Sequence, residues 1–356
     1  MAIMKSQHLV FTHQTLPMNK TDSNSLDTYC LTDNAGLKVV ITPLGCRIMR
    51  LVYNGTDVVQ GFDSPEEYLP NRHHSDFGAV IGRYANRIAN GRITIDGIAY
   101  QLPINNGPNC LHGGPSGWQY AIFNVEKATE RQLVLTLNSP DGDNGFPGNV
   151  SVSVSYSICE NNSLRIDYFA ETDRTTVINM TNHSYFNLNG DLGSSILNHI
   201  LQIDADQYTP VDIVSIPLAS HSPVEGTPFD FRSAMPIGLH IGDDNPQLDI
   251  GHGYDHNFVL NTRGSLDLPC SRLYSPLSDI VMEVRTTTPG MQVYTGNFLD
   301  GVVGKNGVSY ARQSAVCLET QMYPDSPNRC WPESTGILTP YEPFESSTIF
   351  SFSKKK

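Results

Sequence analysis

The chain lacks most of the features that assign a function outright. No run of about 18 apolar residues occurs, so no segment reads as a membrane-spanning helix. The residues after Met1-Ala2-Ile3-Met4-Lys5 lack the apolar core and small-residue cleavage site of a secretory signal. Charge is scarce: 17% of residues are charged, the net charge is −13, and the basic residues are scattered apart from Lys354-Lys355-Lys356. A phosphate-tracking surface is thereby excluded, nucleic acid is not an expected partner, and the lysine tail reads as a solvated chain end. Seven cysteines are an odd number, too few for a disulfide framework, and form no CxxC pair, so they read as reduced thiols in a soluble, cytoplasmic protein. A nucleophile elbow, a P-loop and a dinucleotide glycine fingerprint are all missing. His73-His74 and the stretch His252-Gly253-Tyr254-Asp255-His256 lack metalloprotease spacing, which leaves them as surface or structural histidines and predicts no metal site.

What is present points to strands. The chain has 356 residues, 29 glycines and 23 prolines, and its β-branched and aromatic residues fall in short runs bounded by turn formers. Residues 1–27 are polar and aperiodic, and are expected to be an arm or edge segment. From residue 28 onward, Leu37–Ile41 and Ile48–Tyr53 read as strands, with a tight turn at Asn54-Gly55. One short helix is expected at Asp63–Pro70, where a capping residue precedes proline and two acids. A hairpin follows over Arg92–Tyr100, turning at Asp96-Gly97. Gln132–Leu137, Val150–Ile158 and Leu164–Ala170 alternate apolar with polar residues, so one face of that sheet is expected to be solvated. Asn257–Leu260, Ile280–Arg285 and Gln292–Thr295 are strand-like too. With helical periodicity nearly absent and no repeat, residues 28–356 are expected to form one large antiparallel β-sandwich with very few short helices.

Two segments stand out chemically. Thr181-Asn182-His183-Ser184-Tyr185-Phe186-Asn187-Leu188 sets polar groups beside large apolar ones, and Val316-Cys317-Leu318-Glu319-Thr320-Gln321 places a lone carboxylate in an apolar strand. The loop Asn105–Gly114 holds His112 in a turn. Asn86, Arg87, His112, His183, Asp255, Gln292 and Glu319 are the hydrogen-bonding candidates. Taken singly, each is also compatible with ordinary core or rim packing. Trp331 and Tyr84 are read as packing aromatics rather than sugar platforms.

Six ordered segments resemble those of the aldose 1-epimerase family: Gly82–Ala89, Leu111–Gly114, Asn182–Leu188, Gly253–Phe258, Gln292–Phe298 and Leu318–Gln321. The resemblance covers about residues 30 to 345 and implies a broad β-sandwich with the site in an open groove. It implies Glu319 as general base, His183 as general acid, His112 assisting on the ring-oxygen side, and Asn86, Arg87, Asp255 and Gln292 holding sugar hydroxyls. It further implies no cofactor, a free sugar as substrate, and a monomer or weak dimer.

The residue types suit that chemistry. To interconvert the anomers of an aldohexose such as galactose or glucose, a base removes the O1 proton while an acid protonates the ring oxygen. The ring opens, C1 turns about C1–C2, and reclosure presents the other carbonyl face. A carboxylate and an imidazole supply both protonation states near neutral pH. Rival expectations are an epimerase of phosphorylated hexoses, for which only Arg83 and Arg87 stand in the matched segments, a non-catalytic carbohydrate-binding sandwich, and a glycoside hydrolase, which needs two carboxylates.

Overall fold

A computed structural model describes residues 26–33, 35–70, 72, 76–329 and 331–355. Most of the expected arm, His73-His74, Cys330 and the terminal Lys356 lie outside the described residues.

Two large antiparallel sheets dominate. The nine-stranded sheet runs in the order Asn124–Ala128, Gln132–Ser139, Val150–Cys159, Ser163–Thr172, Phe344–Lys354, Ile280–Thr286, Ser271–Tyr274, Ile200–Ile203 and Met235–Pro236. The six-stranded sheet is ordered Tyr185–Phe186, Val316–Gln321, Gly290–Tyr294, Asp255–Val259, Gln207–Thr209 and Ser222–Pro223. They pack face to face. Phe186 of the smaller sheet meets Phe350 of the larger at 5.2 Å between ring centroids, and the hydroxyls of Thr320 and Thr348 hydrogen-bond across the same interface at 2.5 Å. Burial of such side chains supplies most of the cohesion, about 1.5–3 kcal/mol for each large apolar group.

Local chemistry explains the hairpins. Asn54 and Gly55, Asp96 and Gly97, and Asn161 and Asn162 all take positive φ, as a two-residue turn with the twist of its strands requires. Strict alternation also holds: Val150, Val152, Val154, Tyr156 and Ile158 are buried while Ser151 is exposed. The expected helix at Asp63–Pro70 is a 3-10 turn over Pro65–Tyr68, with the Ser64 N–H donating to the Glu67 carboxylate at 2.9 Å. A short α-helix not anticipated, Pro246–Gly251, is capped by Asn245, whose side chain accepts from the Gln247 N–H at 2.9 Å. At the chain end Lys354 still pairs with Ile280, and the Lys355 ammonium sits 4.3 Å from the centre of the Tyr274 ring, so the tail begins as a continuing strand.

Candidate active site

The inner sheet places its polar residues by register. Glu319 pairs with Gln292, which pairs with Asn257; one row further on, Tyr185, Cys317, Tyr294 and Asp255 lie side by side. Side chains two residues apart on a strand share a face, so both rows project to the side opposite Phe186 and Thr320. All six residues of Val316–Gln321 are buried, as in a strand covered on both sides.

His183 reaches this face by another route. It lies between the strand Thr181–Asn182, which pairs with Val80–Ile81, and Tyr185–Phe186. The His183 N–H donates to the Ala79 carbonyl at 2.8 Å, and the Gly78 N–H to the His183 carbonyl at 2.9 Å. Gly78 has φ +70, and a Cβ there would lie 1.9 Å from the Ile48 carbonyl oxygen, so only glycine permits this approach. The His183 ring stacks on Tyr185 at 5.0 Å and meets His112 edge-on at 5.3 Å.

His183 Nε2 and Glu319 Oε1 are 3.5 Å apart, and the two residues are only 5% and 2% exposed. Among the described residues, His183 Nδ1 and Glu319 Oε2 are buried without a hydrogen-bond partner. Unsatisfied buried polar atoms are costly and rare, and a functional role is one of the few reasons to keep them. Burial pushes the Glu319 carboxyl up to about 7; the nearby His183 opposes the shift, Asp255 and Asp76 reinforce it, and Arg87 opposes it. The carboxyl is therefore poised at neutral pH rather than ionised throughout, as an ordinary glutamate would be.

His112 is a fixed donor. Its Nδ1 accepts the Asn86 N–H at 3.1 Å, which places the ring hydrogen on Nε2. Desolvation first, then His183 and Arg87, holds its pKa well below the usual histidine value, so the ring stays neutral. Its backbone has φ +52, and Gly113 beside it packs so closely that a Cβ would lie 2.2 Å from the Gly82 carbonyl. Asp76, His112 and His183 each offer an atom within 4.8 Å of the others, the spacing of a metal site. The His112 tautomer argues against that use, because one ring nitrogen is engaged by Asn86 and the other carries the proton.

The remaining candidates divide. Arg87 approaches Asp255 at 3.8 Å and donates from Nε to the Asn106 side chain at 3.0 Å. Asn86, at φ +66, uses its side-chain oxygen to accept the Arg87 N–H at 2.8 Å. Gln292 does not line the cavity; its amide donates to Asp255 at 2.7 Å and holds that carboxylate in place. Arg83 turns away, donating at 2.6 Å to the Ser139 hydroxyl and at 2.8 Å to the Pro147 carbonyl. Tyr84 is wholly buried and Trp331 stacks on His221 at 5.0 Å, so both pack as expected. His252 is exposed, whereas His256 is buried against Phe229 and lowered to about 4 by desolvation, so those two form no shared site.

Together, Asn86, Arg87, His112, His183, Asp255 and Glu319 line a cavity of about 210 Å³. At about 30 Å³ per water that is room for some seven waters, a space suited to one pyranose ring. Sequence reasoning missed Asp76, Asn106, Leu111, Tyr185, Tyr294 and Phe298 on its wall. Strand alternation carried part of that signal, since Tyr185 and Tyr294 lie two residues from His183 and Gln292. Larger surface depressions exist, such as one of about 870 Å³ between Arg232 and Glu333, but the acid–base pair lies in the smaller cavity.

Fold and site together define an all-β protein with a buried carboxylate–imidazole pair in a polar, ring-sized cleft. The chain belongs to the aldose 1-epimerase family, whose sequence profile matches residues 27–351. It is 43% identical over 324 residues to mouse galactose mutarotase, covering 89% of this chain and 91% of the relative. To the aldose 1-epimerase of Escherichia coli it is 40% identical over 328 residues, covering 90% and 94%. Among solved structures, an aldose epimerase homologue from C. elegans superposes with a TM-score of 0.85 at 29% identity, covering 93% of this chain and all (100%) of the other. A galactose 1-epimerase from Lactobacillus acidophilus gives 0.82 at 28% identity, covering 95% and 98%.

Proposed function

We propose that this isomerase interconverts the α and β anomers of free aldohexoses, galactose and glucose first among them, by acid–base ring opening and reclosure without a cofactor. The observation that carries the proposal is the 3.5 Å separation of His183 Nε2 and Glu319 Oε1 on the cavity wall. O1 and O5 of a pyranose are bonded to the same carbon, so groups serving both must stand side by side. This pair does.

Glu319 takes the proton from O1 as electrons form the carbonyl at C1 and the C1–O5 bond breaks; His183 delivers a proton to O5. After rotation about C1–C2 the two roles reverse for reclosure. A base near neutral in pKa combines a sufficient ionised fraction with a strong pull on the O1 proton. His112 Nε2–H donates on the ring-oxygen side without competing for protons. Arg87, Asn86 and Asp255 hold the hydroxyls, with charge-assisted bonds donated by the guanidinium and accepted by the carboxylate. Gln292 serves in this scheme by aligning Asp255. A phosphorylated hexose is disfavoured, because Arg83 is spent on Ser139 and Pro147 and only Arg87 remains on the cavity wall.

The mammalian relatives carry the name galactose mutarotase, which puts galactose at the head of the substrate list. Free thiols, buried at Cys46, Cys110, Cys270 and Cys317, accord with a cytoplasmic protein, and we read it as one catalytic domain acting as a monomer or weak dimer in hexose metabolism. Polarimetry on freshly dissolved α-D-galactose tests the reading. Wild type accelerates the drift to the equilibrium rotation, and His183→Asn loses about 10²–10⁴ of that acceleration; a wild type that leaves the drift unchanged sinks the proposal.

A further inference from the structure

The cavity holds three carboxylates against one guanidinium, and only two of the three have been given work. Glu319 faces His183, and Asp255 is tied to Gln292 and Arg87. Asp76 lines the same cavity, and its Oδ1 is buried with no hydrogen-bond partner among the described residues. Its backbone is anchored beside the acid. The Ala79 N–H donates to the Asp76 carbonyl at 3.0 Å, the next carbonyl, that of Phe77, accepts from buried Arg47 at 2.7 Å, and the Gly78 N–H bonds to His183.

We infer that Asp76 is a specificity-determining residue that reads the 6-position of the sugar, accepting the O6 hydroxyl hydrogen and repelling a 6-phosphate. The placement follows from the mechanism and therefore rests on the mutarotase reading. His183 serves O5, and Glu319 serves O1 on one side of it. An Asp76 oxygen lies within 4.8 Å of ring nitrogens of both His112 and His183, a cluster that does not include Glu319 among the described residues. Asp76 thus groups with the two histidines on the ring-oxygen side of the cavity. Of the two carbons bonded to O5, C1 is the one served by Glu319, which leaves C5, and the group it carries is the hydroxymethyl. A carboxylate offers only acceptors, so it suits a hydroxyl and opposes a phosphate. Its neighbours reinforce the sign: the charged groups facing it across the cavity include Asp255 and Glu319, with Arg87 as the cation.

The test compares D-galactose, 6-deoxy-D-galactose and D-galactose 6-phosphate by polarimetry, each with wild type, Asp76→Ala and Asp76→Asn. Asp76→Ala is expected to lower kcat/KM for galactose about 10- to 100-fold, the worth of a hydrogen bond to a charged group, and to leave 6-deoxygalactose within about twofold. Asp76→Asn keeps an acceptor while removing the charge, so it loses less on galactose and gains on the 6-phosphate. The ratio between two sugars measured on one preparation is independent of the folded fraction, so a poorly folding variant still reports. Equal losses on galactose and 6-deoxygalactose overturn the inference, because Asp76 then acts through the histidines or the fold. No gain on the 6-phosphate with Asp76→Asn overturns the repulsion. If wild type turns over none of the sugars the mutarotase reading itself fails and takes this inference with it, whereas an active wild type with unmoved ratios defeats only the role of Asp76.

Discussion

The strands Val150–Cys159 and Val316–Gln321 both set polar side chains among apolar ones, yet the consequences are opposite. In the first, Ser151 faces solvent and Ser155 accepts from Gln132 at 3.2 Å, so each polar group is hydrated or paired and the apolar residues settle into the core. In the second, both faces are covered, Glu319 is 2% exposed, and Oε2 of that carboxyl has no partner among the described residues. Burial without satisfaction raises a carboxyl pKa and costs stability. The larger sheet is built for cohesion, and the smaller one accepts strain on the face opposite Phe186 and Thr320, where the acid–base pair stands.

Substitutions in the two sheets sharpen that contrast. The largest effect is expected from Glu319→Gln, which removes the base and lowers turnover by about 10²–10⁴ while sparing sugar binding. The same change should make the protein more stable at alkaline pH. Because the folded pKa, about 7, lies above the ordinary glutamate value of 4.5, the folded state holds a proton that the unfolded chain has released between those values. Wild-type stability accordingly falls as pH rises from 4.5 to 7 and levels off above. The glutamine variant is free of that loss, so at pH 8 its gain is on the order of 1–3 kcal/mol relative to its standing at pH 4, read from denaturant titrations at both pH values. A stability difference that does not change with pH would mean that Glu319 is not strained.

A smaller effect is expected in the pH profile. If Glu319 must be ionised to take the O1 proton, kcat/KM of the wild type rises with pH through about 7 and changes about tenfold per unit below that value. A limb near 4.5 would place the carboxylate in an ordinary environment. Least of all is expected from Ser151→Thr on the solvated face, which should shift stability by no more than about 0.5 kcal/mol and leave turnover unchanged. A loss comparable to that at Glu319 would erase the distinction between the two sheets.

Much of the larger sheet was legible in the sequence because alternation and turn chemistry are local. Val150–Ile158 announces its own faces, and outside that sheet, in a four-stranded and a two-stranded sheet, Asn54-Gly55 and Asp96-Gly97 announce their turns. The catalytic candidates His183 and Glu319 came from resemblance to a family rather than from spacing, since a histidine or a glutamate in an apolar strand is ambiguous alone. What sequence could not supply was long-range. Arg83 and Arg87 are four residues apart, yet one is consumed by Ser139 and Pro147 while the other enters the cavity. Gln292 was expected on a sugar hydroxyl, and what the sequence could not show is that its amide N–H also donates to Asp255, from a strand position paired with Asn257 and Glu319. Asp76 follows a polar stretch with no periodicity, and only the backbone bonds that join Gly78 to His183 bring it to the site. The helix Pro246–Gly251 did have a signal, the capping Asn245 before proline, but six residues are too few for a helical period to register.

The central claim is that Glu319 and His183 act on two oxygens of one carbon. Its most direct test pairs polarimetric relaxation of fresh α-D-galactose with a calorimetric binding titration, on wild type and Glu319→Gln. The account predicts rapid relaxation with wild type and near-spontaneous relaxation with the variant, at similar sugar affinity; a variant as fast as wild type would contradict it.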